Sequence, residues 1–184
     1  MDHMYLLLAG LMLCSRLDCS LGCPLPRSQG LEIKEIFTLL RQMNRMPSHS
    51  CLNDRVDFKY PWKAETVTQI PKTQATYFRN EMFQQIFNLF QNENSRAAWD
   101  NSLLDELLSR LDHNLEQVEQ IENLLPCADL GTLVRDYFQG TDGYLNEKKY
   151  SSCAWEVVRG EIEMCLTILK EKSTKKEETQ KAHQ

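Results

Sequence analysis

Lys148 to Leu169, KKYSSCAWEVVRGEIEMCLTIL, is the stretch that decides the fold of this 184-residue chain. At about 100° per residue, Trp155, Val158, Ile162, Leu166 and Leu169 fall on one side of a helix, the spacing of a core-facing stripe. Val157, Met164 and Ile168 fall on nearly the opposite side. A helix with two apolar stripes either sits in the middle of a bundle or offers one stripe to a partner.

The rest of the chain supplies the other members of such a bundle, and no convincing strand. A first helix over about Gly30–Asn44 carries the seam Ile33, Ile36, Phe37, Leu40 and Met43. A second, over about Lys72–Gln91, carries Ala75, Phe78, Met82, Ile86 and Leu89, with Phe83, Phe87 and Phe90 beside them. Polar turn formers at Asn92–Ser95 break the pattern. A third helix starts near Trp99–Ser102, where Ser102 and Asp105 fit a capping box, and continues through Leu104, Leu107, Leu108, Leu111, Leu115, Val118 and Ile121. A fourth spans about Ala128–Lys149, with apolar rows through Leu133, Tyr137, Tyr144 and Val134, Phe138, Leu145. Gly140–Gly143 interrupts those rows, and each glycine costs about 1 kcal/mol inside a helix, so a kink or a fray is predicted there. The fifth is the stretch quoted above, over about Ser152–Lys172. Between the first two helices lie about 27 residues with Pro47, Pro61 and Pro71, a connection too long for a short-loop bundle. The predicted class is therefore all-α, a five-helix cytokine-type bundle with a long first crossover loop and up-up-down-down order.

The ends bound the domain. Tyr5–Leu13 is a short apolar run followed by Ser20 and Gly22 at signal-peptidase spacing, which predicts a secretory signal over residues 1–22. Nine residues of helix cover roughly half of a bilayer's hydrocarbon core, too little for a span. A helical domain is predicted over 23–172, and the charged, apolar-poor segment 173–184 is predicted to be disordered. Loss of Asp2, Arg16 and Asp18 with the signal moves the formal charge from -5 to -4. No basic stripe is present that would neutralise a nucleic-acid backbone.

Of seven cysteines, Cys23, Cys51, Cys127, Cys153 and Cys165 remain after cleavage. In a secreted chain, disulfides are the default, and spacing alone leaves the pairing open. No C-x-x-C pair is present and the histidines are scattered, so neither a metal site nor a cofactor is expected. Catalysis has no carrier either. Asp112 and His113 are adjacent, so their side chains diverge on a helix, and no nucleophile has an identifiable base.

CAWEVVRGEI at Cys153–Ile162 strongly resembles the last helix of type I interferons. SCLNDRVDF at Ser50–Phe58 is similar to that family's first long loop. QQIFNLF at Gln84–Phe90 resembles its second helix, and AAWDNSLLDELL at Ala97–Leu108 the start of its third. VRDYFQ at Val134–Gln139 and YLNEKKYSSCAWEVVRGEI at Tyr144–Ile162 follow in family order. The resemblance is to a divergent member of that family. It implies a secreted, monomeric cytokine that crosslinks the two-chain interferon alpha/beta receptor and triggers JAK-STAT signalling, with antiviral and antiproliferative outcomes. The competing reading is a secreted helical carrier whose Phe- and Leu-rich interior holds a lipid or small hydrophobic ligand.

The resemblance also orders the cysteines. It implies a Cys51–Cys153 bridge between the long loop and the last helix. It further implies a bridge from Cys23 to a third-helix cysteine, whose aligned place is near Ile121; the available thiol is Cys127, so a Cys23–Cys127 bridge is expected. Cys165 is then unpaired, either a small buried hydrophobe or a reactive thiol. For the higher-affinity receptor chain the matching positions are Leu52, Arg55, Arg159, Gly160, Met164 and Ile168. Arg55 carries the most weight, because a guanidinium presents five donors in a rigid fork. Its competing role is an internal pair with Asp54 or Asp57. Glu163 stands where the family carries an apolar contact residue. For the lower-affinity chain the positions are Phe87, Asn88, Leu103, Leu108 and Arg135, on a face made acidic by Asp112 and Asp136.

Overall fold

The computed structural model describes residues 29–62, 70, 72–119 and 128–181. The predicted signal, Cys23, Cys127 and so the second implied bridge lie outside the described residues. Among the described residues five long helices and one short one follow in order: α1 (Gln29–Gln42), α2 (Lys72–Phe90), the short α3 (Glu93–Ala98), α4 (Asn101–Glu119), α5 (Ala128–Glu147) and α6 (Ser152–Lys181). A 3-10 segment, Ser48–Asp54, lies between α1 and α2, and no strand is present among the described residues.

The apolar stripes read from the sequence close one core. Ile33, Ile36, Leu40 and Met43 of α1, Phe78, Met82 and Ile86 of α2, Leu104, Leu107 and Leu111 of α4 and the Trp155–Leu169 seam of α6 are all buried together. α1 packs against α4 and α6, α2 against α4 and α5, and α5 against α6. The five long helices thus form a ring in which α1 and α2, consecutive in the chain, are not principal neighbours. The connection between them has to cross the bundle, as its length predicted. The most contacted position falls to α2, which explains why Phe83 and Phe90 beside its seam are also buried, at 1% and 0% exposure. Phe90 and Trp155 pack ring against ring at 5.6 Å, with Trp99 6.0 Å from Trp155, so aromatic side chains fill this end of the bundle.

Several local expectations need correction. α4 begins at Asn101, and its cap is Asp100, whose Oδ1 accepts from the backbone N–H of Ser102 at 3.0 Å and of Leu103 at 3.1 Å. Aspartate one residue ahead of the helix does what Ser102 was expected to do. The Asn92–Ser95 turn formers open the short α3, with Asn92 Oδ1 capping Ser95 N at 2.9 Å. α6 continues as helix to Lys181, past the predicted boundary at 172. Its last turns are rich in Lys, Glu and Gln, good helix formers.

α5 runs unbroken through Gly140–Gly143. Thr141 is buried and its Oγ1 donates to the Tyr137 carbonyl at 3.1 Å, while the two glycines face outward, where an added Cβ meets nothing within 4 Å. Packing by Tyr137, Phe138, Tyr144 and Leu145 therefore outweighs the glycine cost. Alanine at both positions is expected to raise stability by about 1 kcal/mol per site, read as a rise in the denaturant midpoint of Gly140→Ala/Gly143→Ala. An unchanged or lower midpoint would contradict the open faces.

Candidate binding surface

Residues 46–62 of the long loop are held against α2, α5 and α6. Cys51 is bonded to Cys153, across 102 residues of chain and with 5.2 Å between the Cα atoms, as the resemblance implied. Met46 Sδ packs against the bridge, 3.3 Å from Cys51 Sγ. The Tyr144 hydroxyl donates to the Asp54 carbonyl at 2.6 Å, and Lys148 Nζ lies 3.2 Å from Asp54 Oδ1. Farther on, the loop lays three alternate aromatics onto the bundle: Phe58 meets Tyr144 at 5.1 Å, Tyr60 meets Tyr137 at 5.4 Å and Trp62 meets Phe78 at 5.2 Å. These residues were missed in the sequence reading, although FKYPW carries an apolar residue at every second position, the signal of an extended segment with one buried face.

Arg55 follows directly from this anchoring. Its two candidate internal partners are otherwise engaged, Asp54 with Lys148 and Asp57 with the Lys59 backbone N–H at 2.8 Å. Arg55 is exposed, and among the described residues none accepts a hydrogen bond from its guanidinium. It stands between two large apolar side chains left in solvent, Leu52 at 57% exposure and Val56 at 48%. A long cation flanked by exposed apolar surface on an anchored loop has the composition of an interface anchor.

Helix geometry brings α6 to the same place. Cys153, Val157, Gly160, Met164 and Ile168 recur at i, i+4, i+7, i+11 and i+15, one face of a helix. The bridge therefore ties the loop to the stripe that faces away from the Trp155 seam. Met164 is 40% exposed and Gly160 is open to solvent, while Ile168 and Val157 are half-buried against the core edge. So the second apolar stripe is split, its outer part free and its flank packed.

Arg159 does not belong to this surface, contrary to expectation. It is 3% exposed. Its Nε and Nη2 donate to Glu156 Oε2 at 2.8 Å and Oε1 at 2.6 Å, a two-point fork, and Nη1 donates to Glu163 and, at 3.1 Å, to the Leu40 carbonyl. α1 ends here: Met43 N closes on Leu39 and Asn44 N on Arg41, and the Leu40 carbonyl is met by the guanidinium. A cation at a helix C-terminus satisfies an otherwise orphaned acceptor and complements the helix dipole. Burial pulls the guanidinium's pKa down, but Glu156 and Glu163 more than reverse this and leave it raised. Glu163, expected as an intruding carboxylate on the contact surface, turns inward to Arg159.

The second set of positions is less uniform. Asn88 is exposed and its Oδ1 accepts from Gln84 Nε2 at 3.1 Å and Gln91 Nε2 at 3.3 Å. Arg135 pairs with Glu81 at 3.2 Å, and its pKa is raised first by a hydrogen bond that it donates to the Tyr77 hydroxyl oxygen and then by the Glu81 charge. Asn88 and Arg135 both line a groove of 570 Å³ together with Gln85, Asn92, Gln139 and Asp142. Phe87 and Leu103 are half-buried against the core. Leu108 is 9% exposed and sits inside it, so it offers no side chain to a partner: the α4 seam is wide enough to take in Leu107 and Leu108 together.

Cys165 is free and fully buried, 3.8 Å from the Tyr137 hydroxyl, which donates to Glu161. Burial pushes its thiol up to about 12. The small-hydrophobe role is thus the one the structure supports. Iodoacetamide at pH 8 is expected to leave Cys165 unmodified in the folded protein and to alkylate it only in denaturant, by peptide mass mapping. Rapid native alkylation would show the site to be open.

Among the described residues no helix is long and apolar enough to cross a membrane, and no cluster of His, Cys, Asp and Glu could hold a metal ion. Comparison with known proteins agrees with the geometry. Residues 25–176 match the profile of the interferon alpha/beta domain. The chain is 45% identical to human interferon alpha-8, covering 86% of this chain and 88% of that protein. Bovine interferon alpha-1 is 44% identical, with 85% and 87% covered, and giraffe interferon tau 43% identical, with 91% and 90% covered. In structure, zebrafish interferon 2 superposes with a TM-score of 0.67 at 22% identity over 80% of this chain and 98% of that one, a likeness of fold. The chain belongs to the interferon alpha/beta family, whose members are cytokines and not enzymes.

Proposed function

We propose that this protein is a secreted, monomeric cytokine that brings together the two chains of the type I interferon receptor, and that the resulting complex starts JAK-STAT signalling with antiviral and antiproliferative outcomes. The observation that carries the reading is the exposed Arg55 between Leu52 and Val56, unengaged among the described residues, on a loop bonded covalently to the α6 face that bears Gly160 and Met164. This surface takes the higher-affinity chain. The α2–α5 groove with Asn88 and Arg135 takes the lower-affinity one, and two faces on different helices of one ring suit a ligand that crosslinks. Arg159 and Leu108 act from inside, as supports.

A delipidated sample is expected to activate an interferon-responsive reporter in cells that carry both receptor chains, and to lose that activity when either chain is deleted. Activity that depended on a bound lipid would favour the carrier. The packed rings of Phe90, Trp99 and Trp155 weigh against such a cargo at that end of the core.

A further inference from the structure

After removal of the predicted signal the chain keeps four methionines, at 43, 46, 82 and 164, and their environments differ sharply. Met43 and Met82 are 2% and 0% exposed and lie in the core. Met46 is half-buried with its sulfur against the Cys51–Cys153 bridge. Met164 is 40% exposed, on the α6 face that carries Cys153 and Gly160. Thioether oxidation follows solvent access, and it turns a flexible apolar side chain into a polar, chiral one.

We infer that Met164 is an oxidation site through which hydrogen peroxide weakens binding to the higher-affinity receptor chain. This rests on the function proposed above. The sulfur attacks one peroxide oxygen, the O–O bond breaks, an S=O bond forms and the other oxygen leaves as water. Sulfur loses two electrons and peroxide gains them. An apolar contact then becomes a strong acceptor that must be stripped of water on docking without a partner arranged to meet it. The step is reversible by methionine sulfoxide reductases, so it grades activity without destroying the chain. The neighbouring surface leaves room for the extra oxygen, since Gly160, one turn away, has nothing within 4 Å of where a side chain would begin.

The test treats the intact, folded protein with graded hydrogen peroxide, maps oxidised peptides by mass and measures binding to each purified receptor chain. Met164 is expected to gain one oxygen before Met46 and well before Met43 and Met82. Affinity for one receptor chain is expected to fall roughly tenfold in step with Met164 occupancy and to return after reductase treatment. Met164→Leu is expected to show the same affinity before and after peroxide, whatever its own baseline. Earlier oxidation of another methionine, or an equal peroxide-dependent loss in Met164→Leu, would overturn the inference. If untreated wild type binds neither chain, the receptor reading fails and takes the affinity effect with it, whereas the order of oxidation is decided by the mass map alone.

Discussion

Arg159→Ala is expected to lower folding stability by about 3–5 kcal/mol, one of the two largest losses in the molecule. The size follows from what remains behind. Glu156 is 4% exposed and is met by the guanidinium at two points, so truncation buries a carboxylate stripped of its principal counter-charge. The Leu40 carbonyl at the end of α1 loses its donor as well, a further cost for a buried acceptor. The cost belongs to a buried carboxylate that has lost its two-point partner more than to the ion pair itself, because a buried pair recovers little beyond its own desolvation. Arg159→Met together with Glu156→Met is therefore expected to regain a substantial part of the loss in denaturant titrations. A loss under 1 kcal/mol for Arg159→Ala would mean that Arg159 is solvated and available to a partner.

The second large effect is expected from Cys51→Ser/Cys153→Ser. In the chain-entropy account, a loop of the 102-residue separation seen here stabilises by up to about 4.7 kcal/mol, and losses of about 2–5 kcal/mol are common for native bridges. Local consequences are expected to exceed the global one. The bridge is the covalent tie between the 3-10 segment and α6, while the Tyr144 and Lys148 contacts to Asp54 and the Phe58, Tyr60 and Trp62 rings hold the far side. Hydrogen exchange is thus expected to speed up over residues 48–56 and to change little over 58–62. Uniform protection in the double variant would show that the aromatics alone fix the loop.

The bundle was legible in the sequence because its helices are amphipathic with a clean 3.6-residue period, and burial follows that period. Trp155, Val158, Ile162, Leu166 and Leu169 lie where their spacing places them. What could not be read was the partner of a charged residue. Arg159 sits one position beyond the seam residue Val158, an angle at which a side chain can point to solvent or to a neighbour. The outcome is set by the end of α1, some 119 residues earlier in the chain. The continuity of α5 was likewise decided by tertiary packing over a local glycine penalty. Arg55 rests on the resemblance, because nothing in the sequence says whether Asp54 and Asp57 pair with it; in the fold Asp54 meets Lys148 and Asp57 meets the Lys59 backbone N–H.

Arg55 is the centre of the proposed recognition, since an exposed arginine with no partner among the described residues, on an anchored loop, can give its donors to a receptor. The direct measurement is surface binding of wild type and Arg55→Ala to each of the two purified receptor chains. The variant is expected to lose about 2 kcal/mol or more, roughly thirtyfold, on one chain and to bind the other as wild type does. Equal binding of variant and wild type to both chains would contradict a receptor site built on Leu52, Arg55 and the α6 face.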